Sequence, residues 1–300
     1  MTIDELIRTV KEQRDTRTLA VACPYDPVTL KAARNAFEED IARSFLFGNQ
    51  ARIEKTADEN KISLKGFEIS DIPGDHEAVA AAVDAAVKRN AHMLMKGDVT
   101  TRIFMSTVFH SKKGIVSPGN ILSHIGLFYS EKYGRTMLLT DAGINISPSL
   151  ERKMKIISNS IEVAHKIDIA RPKIALLAAI EKVNIAQMPI TIEAELMEKM
   201  GKAGMFGDAV VEGPFALDNA VDPEAALTKH VEGEVAGKAD ILVAPDIEAG
   251  NILYKSMVSF ADIVFANVVV GGRVPLVLPS RSDCEKTKLA SIAFASYLGE

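Results

Sequence analysis

Short apolar runs alternate with amphipathic stretches along the whole of this 300-residue chain, with no low-complexity linker between them. An apolar run of strand length followed by helical spacing predicts a strand–turn–helix unit. Its repetition predicts an α/β fold with a mainly parallel sheet. Residues 3–13 read as a helix and Thr18–Cys23 as the first strand, and Pro27 sits near the start of a helix running to about Asn35. A strand over Ser44–Phe47 ends in a turn at Gly48-Asn49. A polar helix over Gln50–Glu59, a short strand over Phe67–Ile69 and an Ala/Val-rich helix over His76–Arg89 follow. Further strands are predicted over Met137–Leu139, Lys173–Ala179, Ala209–Val211 and Ile241–Val243, with a helix over Thr191–Lys202.

The outer limits come from composition. A chain of this length holds one large or two medium domains, and 47% hydrophobic with 25% charged residues is ordinary for a soluble globular protein. The net charge of -5 leaves no basic surplus for general nucleic-acid binding, so no nucleic-acid partner is expected. Cys23 and Cys284 lie far apart, with no ligand-like spacing to each other or to histidine, which speaks for a reducing, cytoplasmic setting and against a structural metal. The amino terminus carries Asp4, Glu5, Arg8 and Lys11 and shows no signal peptide, and no apolar run approaches the ~20 residues that span a bilayer.

The turns after the strands are more informative than the strands. In open α/β sheets ligands sit outside the carboxyl ends of strands. Lys96-Gly97-Asp98-Val99-Thr100-Thr101-Arg102 leads from a strand into the helix-like Ile103–Val108. Two cations, a glycine and threonine hydroxyls at a helix entrance describe an anion pocket, or else a plain turn capped by threonine. Met137–Leu139 runs into Thr140-Asp141-Ala142-Gly143-Ile144-Asn145-Ile146-Ser147-Pro148. There Ser147-Pro148 is expected as the cap and first residue of a helix buried at Leu150, Met154, Ile157 and Ile161. Asp141 and Asn145 either position a ligand or hydrogen-bond the turn itself. A similar Gly-containing turn follows Ile241–Val243, and the chain closes on Gly271-Gly272, an apolar run over Val274–Leu278, Pro279 and Ser280-Arg281-Ser282-Asp283. A last helix is expected from about Asp283, with Ser280, Arg281 and Ser282 around its amino terminus. That is an anion site, or ordinary capping by Ser282 or Asp283 with Arg281 solvated. Neither a Walker loop nor a G-x-G-x-x-G turn after a strand is completed.

Taken as an ordered set, several runs are specific. They are Met95-Lys96-Gly97, Ser123-His124, Thr140 to Ile146, Ala179-Ile180-Glu181-Lys182-Val183-Asn184, Glu212-Gly213-Pro214 with Leu217-Asp218-Asn219-Ala220, Pro245-Asp246 with Gly250-Asn251 and Tyr254-Lys255, and Ser280 to Asp283. The set resembles the phosphate acetyl/butyryltransferase family over nearly the whole chain. Glu181 to Asn184 and the Ala142-Gly143 after Asp141 are more similar to the butyryltransferase branch. The resemblance implies two α/β domains with mainly parallel sheets flanked by helices and an active-site cleft between them, as in isocitrate and isopropylmalate dehydrogenases. On this reading residues 1–128 plus 268–300 form the first domain and 129–267 the second. It also implies transfer of a short acyl group, butyryl or branched, between coenzyme A and phosphate, coenzyme A being a substrate, with no metal required and a homodimer as the assembly.

Roles carry over residue by residue. Ser280 is implied as a hydrogen-bond donor to the reacting oxygen or thiol and Arg281 as the phosphate partner. Thr100, Thr101 and the backbone around Gly97 are implied as a phosphate cradle beside Lys96. Asp141, Asn145, Asp246 and Asn251 are implied to shape the second domain's side, with Ser123 and His124 structural or orienting. Two departures stand out. The acetyltransferase branch has a carboxylate seven residues after the serine, where this chain has Thr287 followed by Lys288. The base is therefore open, with the Lys288 amine or the cationic surroundings as candidates for lowering the thiol pKa. The arginine usual in the helix after the Lys-Gly turn falls on Ser106, and Arg102, one helical turn earlier, is the candidate to replace it. Two other readings are set beside the acyltransferase: a catalytically weak sensor of coenzyme A or acyl phosphate, and a decarboxylating dehydrogenase, whose metal-binding aspartates have no counterpart in this sequence.

Overall fold

The computed structural model describes residues 1–13, 16–110, 114–280 and 283–299. In chain order the elements are α1 (Ile3–Glu12), β1 (Arg17–Ala22), α2 (Pro27–Glu38), β2 (Ala42–Gly48), α3 (Gln50–Glu59), β3 (Glu68–Asp71), α4 (Asp75–Val87), β4 (Met93–Lys96) and α5 (Thr101–His110). Next come β5 (Ser123–Ser130), β6 (Arg135–Thr140), α6 (Leu150–Lys166), β7 (Lys173–Leu177), α7 (Ile190–Lys202), β8 (Val210–Phe215), α8 (Leu217–Val221), α9 (Pro223–Thr228), β9 (Ile241–Val243) and α10 (Ile247–Ala261). The chain ends with β10 (Phe265–Val270), β11 (Leu276–Val277) and α11 (Glu285–Leu298).

Two compact units divide the chain, one made of Ile3–Asn120 with Val264–Glu300, the other of Met1–Thr2 with Ile121–Ile263. Strand β5 is antiparallel to β6, Gly126 facing Leu139, and β10 is antiparallel to β11, Val269 facing Leu276. Neither β5 nor β10 is foreseen as a strand from its sequence, since both carry small and polar residues among the apolar ones.

In the first unit the strand order is β3-β2-β1-β4-β11-β10, parallel except for the last pair. Leu19, Val21, Leu94, Met95, Leu276 and Val277 are fully buried. Such near-continuous apolar strands are what a parallel sheet covered on both faces requires. Helix α11 is buried around its whole circumference, at Ala290, Ile292, Ala293, Phe294 and Ala295, as a helix without a polar face must be. Its two buried serines are satisfied by backbone. Ser291 Oγ accepts from the Asn267 N–H at 2.9 Å and donates to Thr287 O at 2.7 Å, and Ser296 Oγ donates to Ile41 O at 3.1 Å. In the second unit the order is β5-β6-β9-β7-β8, with β6, β9, β7 and β8 parallel.

Some elements differ from the sequence reading at their ends. Helix α6 is capped by Ser149, whose hydroxyl accepts from the Arg152 N–H at 3.4 Å, rather than by Ser147. Strand β8 continues through Glu212-Gly213-Pro214, and β11 keeps two residues of the Val274–Leu278 run.

At the carboxyl end of β4 the chain passes against β1 with no room for a side chain. Gly97 N–H donates to Ala22 O at 2.8 Å and Asp98 N–H to Cys23 O at 2.7 Å. A Cβ on Gly97 would lie 2.3 Å from Cys23 O and 2.6 Å from Ala22 O, both backbone atoms that cannot swing away. Gly97→Ala is therefore expected to lower stability by about 1–3 kcal/mol, as overpacking does. A urea unfolding curve followed by circular dichroism checks this, and an unchanged midpoint refutes it.

Candidate active site

Strands β1, β4 and β11 are neighbours and parallel, so their carboxyl ends lie side by side on one edge of the first unit's sheet. Each leads toward a helix. The turn after β1 ends at Asp26, whose Oδ1 accepts from the Thr29 N–H at 2.8 Å and caps α2, with Pro27 in the first helical turn. After β4 comes Lys96-Gly97-Asp98, and after β11 come Pro279 and Ser280. Together these turns enclose a pocket of about 180 Å³ whose polar lining is Asp26, Thr29, Lys96, Asp98, Ser280 and Lys288.

The two lysines are held by backbone carbonyls. Lys96 Nζ donates to Gly97 O at 3.0 Å and Val99 O at 3.1 Å, folding the side chain over its own turn. Lys288, 2% exposed, donates to Asp283 O at 2.9 Å. The entrance to α11 departs from the sequence reading. Cys284 is the cap, its sulfur accepting from the Thr287 N–H at 3.5 Å, and the helix begins at Glu285. Asp283 closes a turn on Ser280 instead, its Oδ2 accepting from the Ser280 N–H at 2.7 Å while its own N–H donates to Ser280 O at 3.1 Å. Ser280 is thus fixed by its backbone. Arg281 and Ser282 lie outside the described residues.

The two cysteines differ in how readily their thiols ionise. Burial, reinforced by the Asp75 carboxylate, pushes the Cys23 thiol up to about 11. At Cys284 partial burial opposes ionisation, but hydrogen bonds from the Thr287 hydroxyl and the Thr287 and Lys286 N–H groups outweigh it and bring the thiol below its ordinary value. That sulfur is already engaged in capping.

Other expected phosphate contacts are placed differently. Thr100 Oγ1 accepts from the Ile103 N–H at 3.3 Å and caps α5. Thr101 and Arg102 are exposed on the first turn of that helix, as is Ser106 one turn on, and none of them lines the pocket.

In the second unit the expected residues are held by hydrogen bonds within the protein, most densely around Asp141. Asp141, 3% exposed, accepts at Oδ1 from the Gly143 and Ile144 N–H groups at 2.9 and 2.8 Å. Its Oδ2 accepts from Asn145 Nδ2 at 2.6 Å and the His124 N–H at 3.1 Å. Asn145 also donates to Leu122 O at 2.8 Å and accepts from Arg152 Nη2 at 2.7 Å. Asp141 and Asn145 therefore hold the turn itself. Asn251 Nδ2 donates to Ala142 O at 3.0 Å, Asp246 caps α10 through the Ala249 N–H at 2.8 Å, and Ser123 Oγ accepts from Asn159 Nδ2 at 2.9 Å. The His124 ring meets Tyr254 edge-on at 6.3 Å. Glu181 accepts from Asn219 Nδ2 and, at 3.2 Å, from Lys229, whose ammonium also lies 2.9 Å from Asp218 and holds that carboxyl below its usual range.

Sequence reasoning missed Asp26, Thr29, Arg152 and Asn159. The signal for Asp26 is in plain view: an Asp-Pro pair opening a helix after the first strand is the same strand–turn–helix signature that flagged the other turns. Arg152 and Asn159 lie inside a helix, where no spacing rule marks them.

The sequence matches the family model described as phosphate acetyl/butaryl transferase over residues 1–111 and 76–296. The chain belongs to this family. It is 39% identical to the phosphate butyryltransferase of Clostridium acetobutylicum over 295 residues, covering 98% of this chain and 97% of that protein. It is also 39% identical to the phosphate acetyltransferase of Thermotoga maritima over 280 residues, 93% of this chain and 94% of the relative. Among solved structures, a branched-chain phosphotransacylase from Enterococcus faecalis V583 superposes with a TM-score of 0.82 at 30% identity, covering 95% of this chain and 100% of that one. Family membership and the α/β architecture thus agree with the motif set. Among the described residues no group of three or more His, Cys, Asp or Glu is arranged to hold a metal, and no helix is long and apolar enough to cross a membrane.

The four hydrogen bonds converging on Asp141 make its charge structural. Asp141→Asn replaces one acceptor oxygen by a donor facing other donors, so a loss of about 2–4 kcal/mol is expected. Chemical denaturation measures it, and a variant as stable as the wild type refutes the role.

Proposed function

We propose that this family member is a phosphate acyltransferase moving a butyryl or branched short acyl group between coenzyme A and phosphate. The observation that carries the reading is the convergence of Lys96, Ser280 and Lys288 on one pocket at the carboxyl ends of three adjacent strands. The reaction needs a hydrogen-bond donor at the carbonyl oxygen or thiol, and cations for a thiolate and a phosphate. Ser280 supplies the donor, and the buried Lys288 with Lys96 supplies positive charge where water is scarce and electrostatics are strong. Arg281, next in sequence to Ser280, takes the phosphate by its bidentate fork. The thiolate attacks the acyl phosphate carbonyl carbon, and the carbon–oxygen bond to phosphate breaks with its electron pair leaving on phosphate. Free thiols at both cysteines fit a reducing, cytoplasmic location.

The assembly proposed is a homodimer joined through α10. This 15-residue helix carries one acid, Glu248, and one base, Lys255, and buries only Gly250 and Tyr254 fully. Ile252 and Phe260 are 66% and 89% exposed, an apolar helix face that a second copy would cover.

Activity is tested by coenzyme A release from acetyl-, propionyl-, butyryl- and isobutyryl-coenzyme A with phosphate. Four-carbon substrates are expected to turn over fastest, while coenzyme A binding with no turnover of any of them would replace the enzyme by a sensor. Arg281→Ala and Lys288→Met are each expected to lower kcat/KM about 10²-fold or more, the scale of losing one electrostatic contact in a transition state. Wild-type rates in both would sink the assignment. For the assembly, light scattering is expected to give twice the 32.4 kDa of one chain for the wild type and a single-chain mass for Phe260→Glu. A wild-type monomer refutes the dimer.

A further inference from the structure

Resting on the acyltransferase reading, the coenzyme A thiol needs a proton acceptor, and position 287 does not offer one. Thr287 is buried, and its Oγ1 lies 3.4 Å from Cys284 Sγ. Lys288 as an ammonium stabilises a thiolate but takes no proton. Its recorded contact is the Asp283 carbonyl, and no carboxylate among the described residues pairs with it. Among the described residues that line the pocket, the side chains suited to taking a proton at neutral pH are carboxylates.

Two carboxylates line that pocket, Asp26 and Asp98, and Asp283 stands beside it. Asp283 Oδ2 is spent on the Ser280 N–H. Asp98 is exposed and has other partners. Asp26 is half-buried, and its Oδ1 is fixed by the Thr29 N–H at 2.8 Å. The capping bond sets the plane of the carboxylate, and Oδ2 keeps its lone pairs with no partner among the described residues. The following Pro27 restricts the backbone there.

We infer that Asp26 is the general base that takes the thiol proton. The proton passes from coenzyme A sulfur to Asp26 Oδ2. The thiolate, beside the Lys288 ammonium, forms the sulfur–carbon bond, the carbon–oxygen bond breaks, and phosphate leaves with the electron pair. The proton then returns to phosphate or solvent. Among the described residues, the charged groups that line the pocket with Asp26 are Lys96 and Asp98 from the turn after β4 and Lys288 from α11, while Lys31 on its own helix lies 3.8 Å from Glu285. The pocket therefore brings two ammonium groups and two carboxylates to one substrate thiol.

Asp26→Asn separates charge from structure, because asparagine caps a helix as well as aspartate does. Asp26→Ser, another good cap, serves as a second variant. With butyryl phosphate and coenzyme A at pH 7, kcat is expected to fall about 10²-fold or more, within the range of general-base losses. KM for the acyl phosphate and the melting temperature should stay near wild type. The deficit should shrink as pH rises toward the ordinary thiol pKa of about 8.5, because a pre-ionised thiol needs no base. A wild-type pH–rate profile in both variants, or the same loss in Asp98→Asn alone, overturns the role of Asp26 while leaving the acyltransferase intact. An inactive wild type with every acyl-coenzyme A overturns both.

Discussion

The site in the first unit depends on a strand of two residues. Leu276 and Val277 pair in parallel with Leu94 and Met95, and without that pairing Ser280 and Lys288 would have no fixed relation to Lys96 and Asp26. So short a ladder contributes little by its own hydrogen bonds. What holds it is α11, buried around its whole circumference and tied by Ser291 to β10 and by Ser296 to the backbone at Ile41. A helix with no polar face has nowhere else to go, so burial of Ile292 and Phe294 supplies free energy that keeps the turn after β11 in register. Packing and chemistry are joined in one 14-residue helix: its first turn carries Lys288 and the rest carries the core.

Charge in the pocket is arranged with the same economy. The Lys96 and Lys288 ammonium groups both donate to carbonyl oxygens of nearby turns, and an uncharged acceptor leaves an ammonium's charge in place where a carboxylate would offset it. Backbone carbonyls fix position while leaving the field almost intact, the kind of preorganisation that stabilises charge developing in a transition state.

Fold class and most helices were legible because apolar periodicity is set by burial, and burial is what these elements share. Helix α3 is recovered residue for residue, since Asn49 caps it and its face is simply amphipathic. What could not be read was pairing. No local signal tells β11 to lie beside β4, because the two strands are far apart in sequence. The site shows the same division. Lys96, Gly97 and Ser280 were singled out from motif order and Lys288 from its place after Thr287, and all four line the pocket. Asp26 was missed because its turn carries no cation or glycine to draw attention. Asp141 and Asn145 stood out for the right residue type, but a small polar side chain after a strand is equally suited to holding its own turn, and here that is what both do.

Comparing the two polar clusters indicates where chemistry can occur. Around Asp141 both carboxylate oxygens accept two hydrogen bonds each from the protein itself, so a ligand would gain nothing there without breaking a bond already made. In the pocket beside Ser280, Lys288 donates to one carbonyl and Asp26 accepts at one oxygen, with no other partner for either among the described residues. A ligand that matches such spare donors and acceptors gains hydrogen bonds without breaking any the protein already makes. The group that matches must offer an acceptor to an ammonium and a proton to a carboxylate within the same 180 Å³. A thiol about to become a thiolate does both.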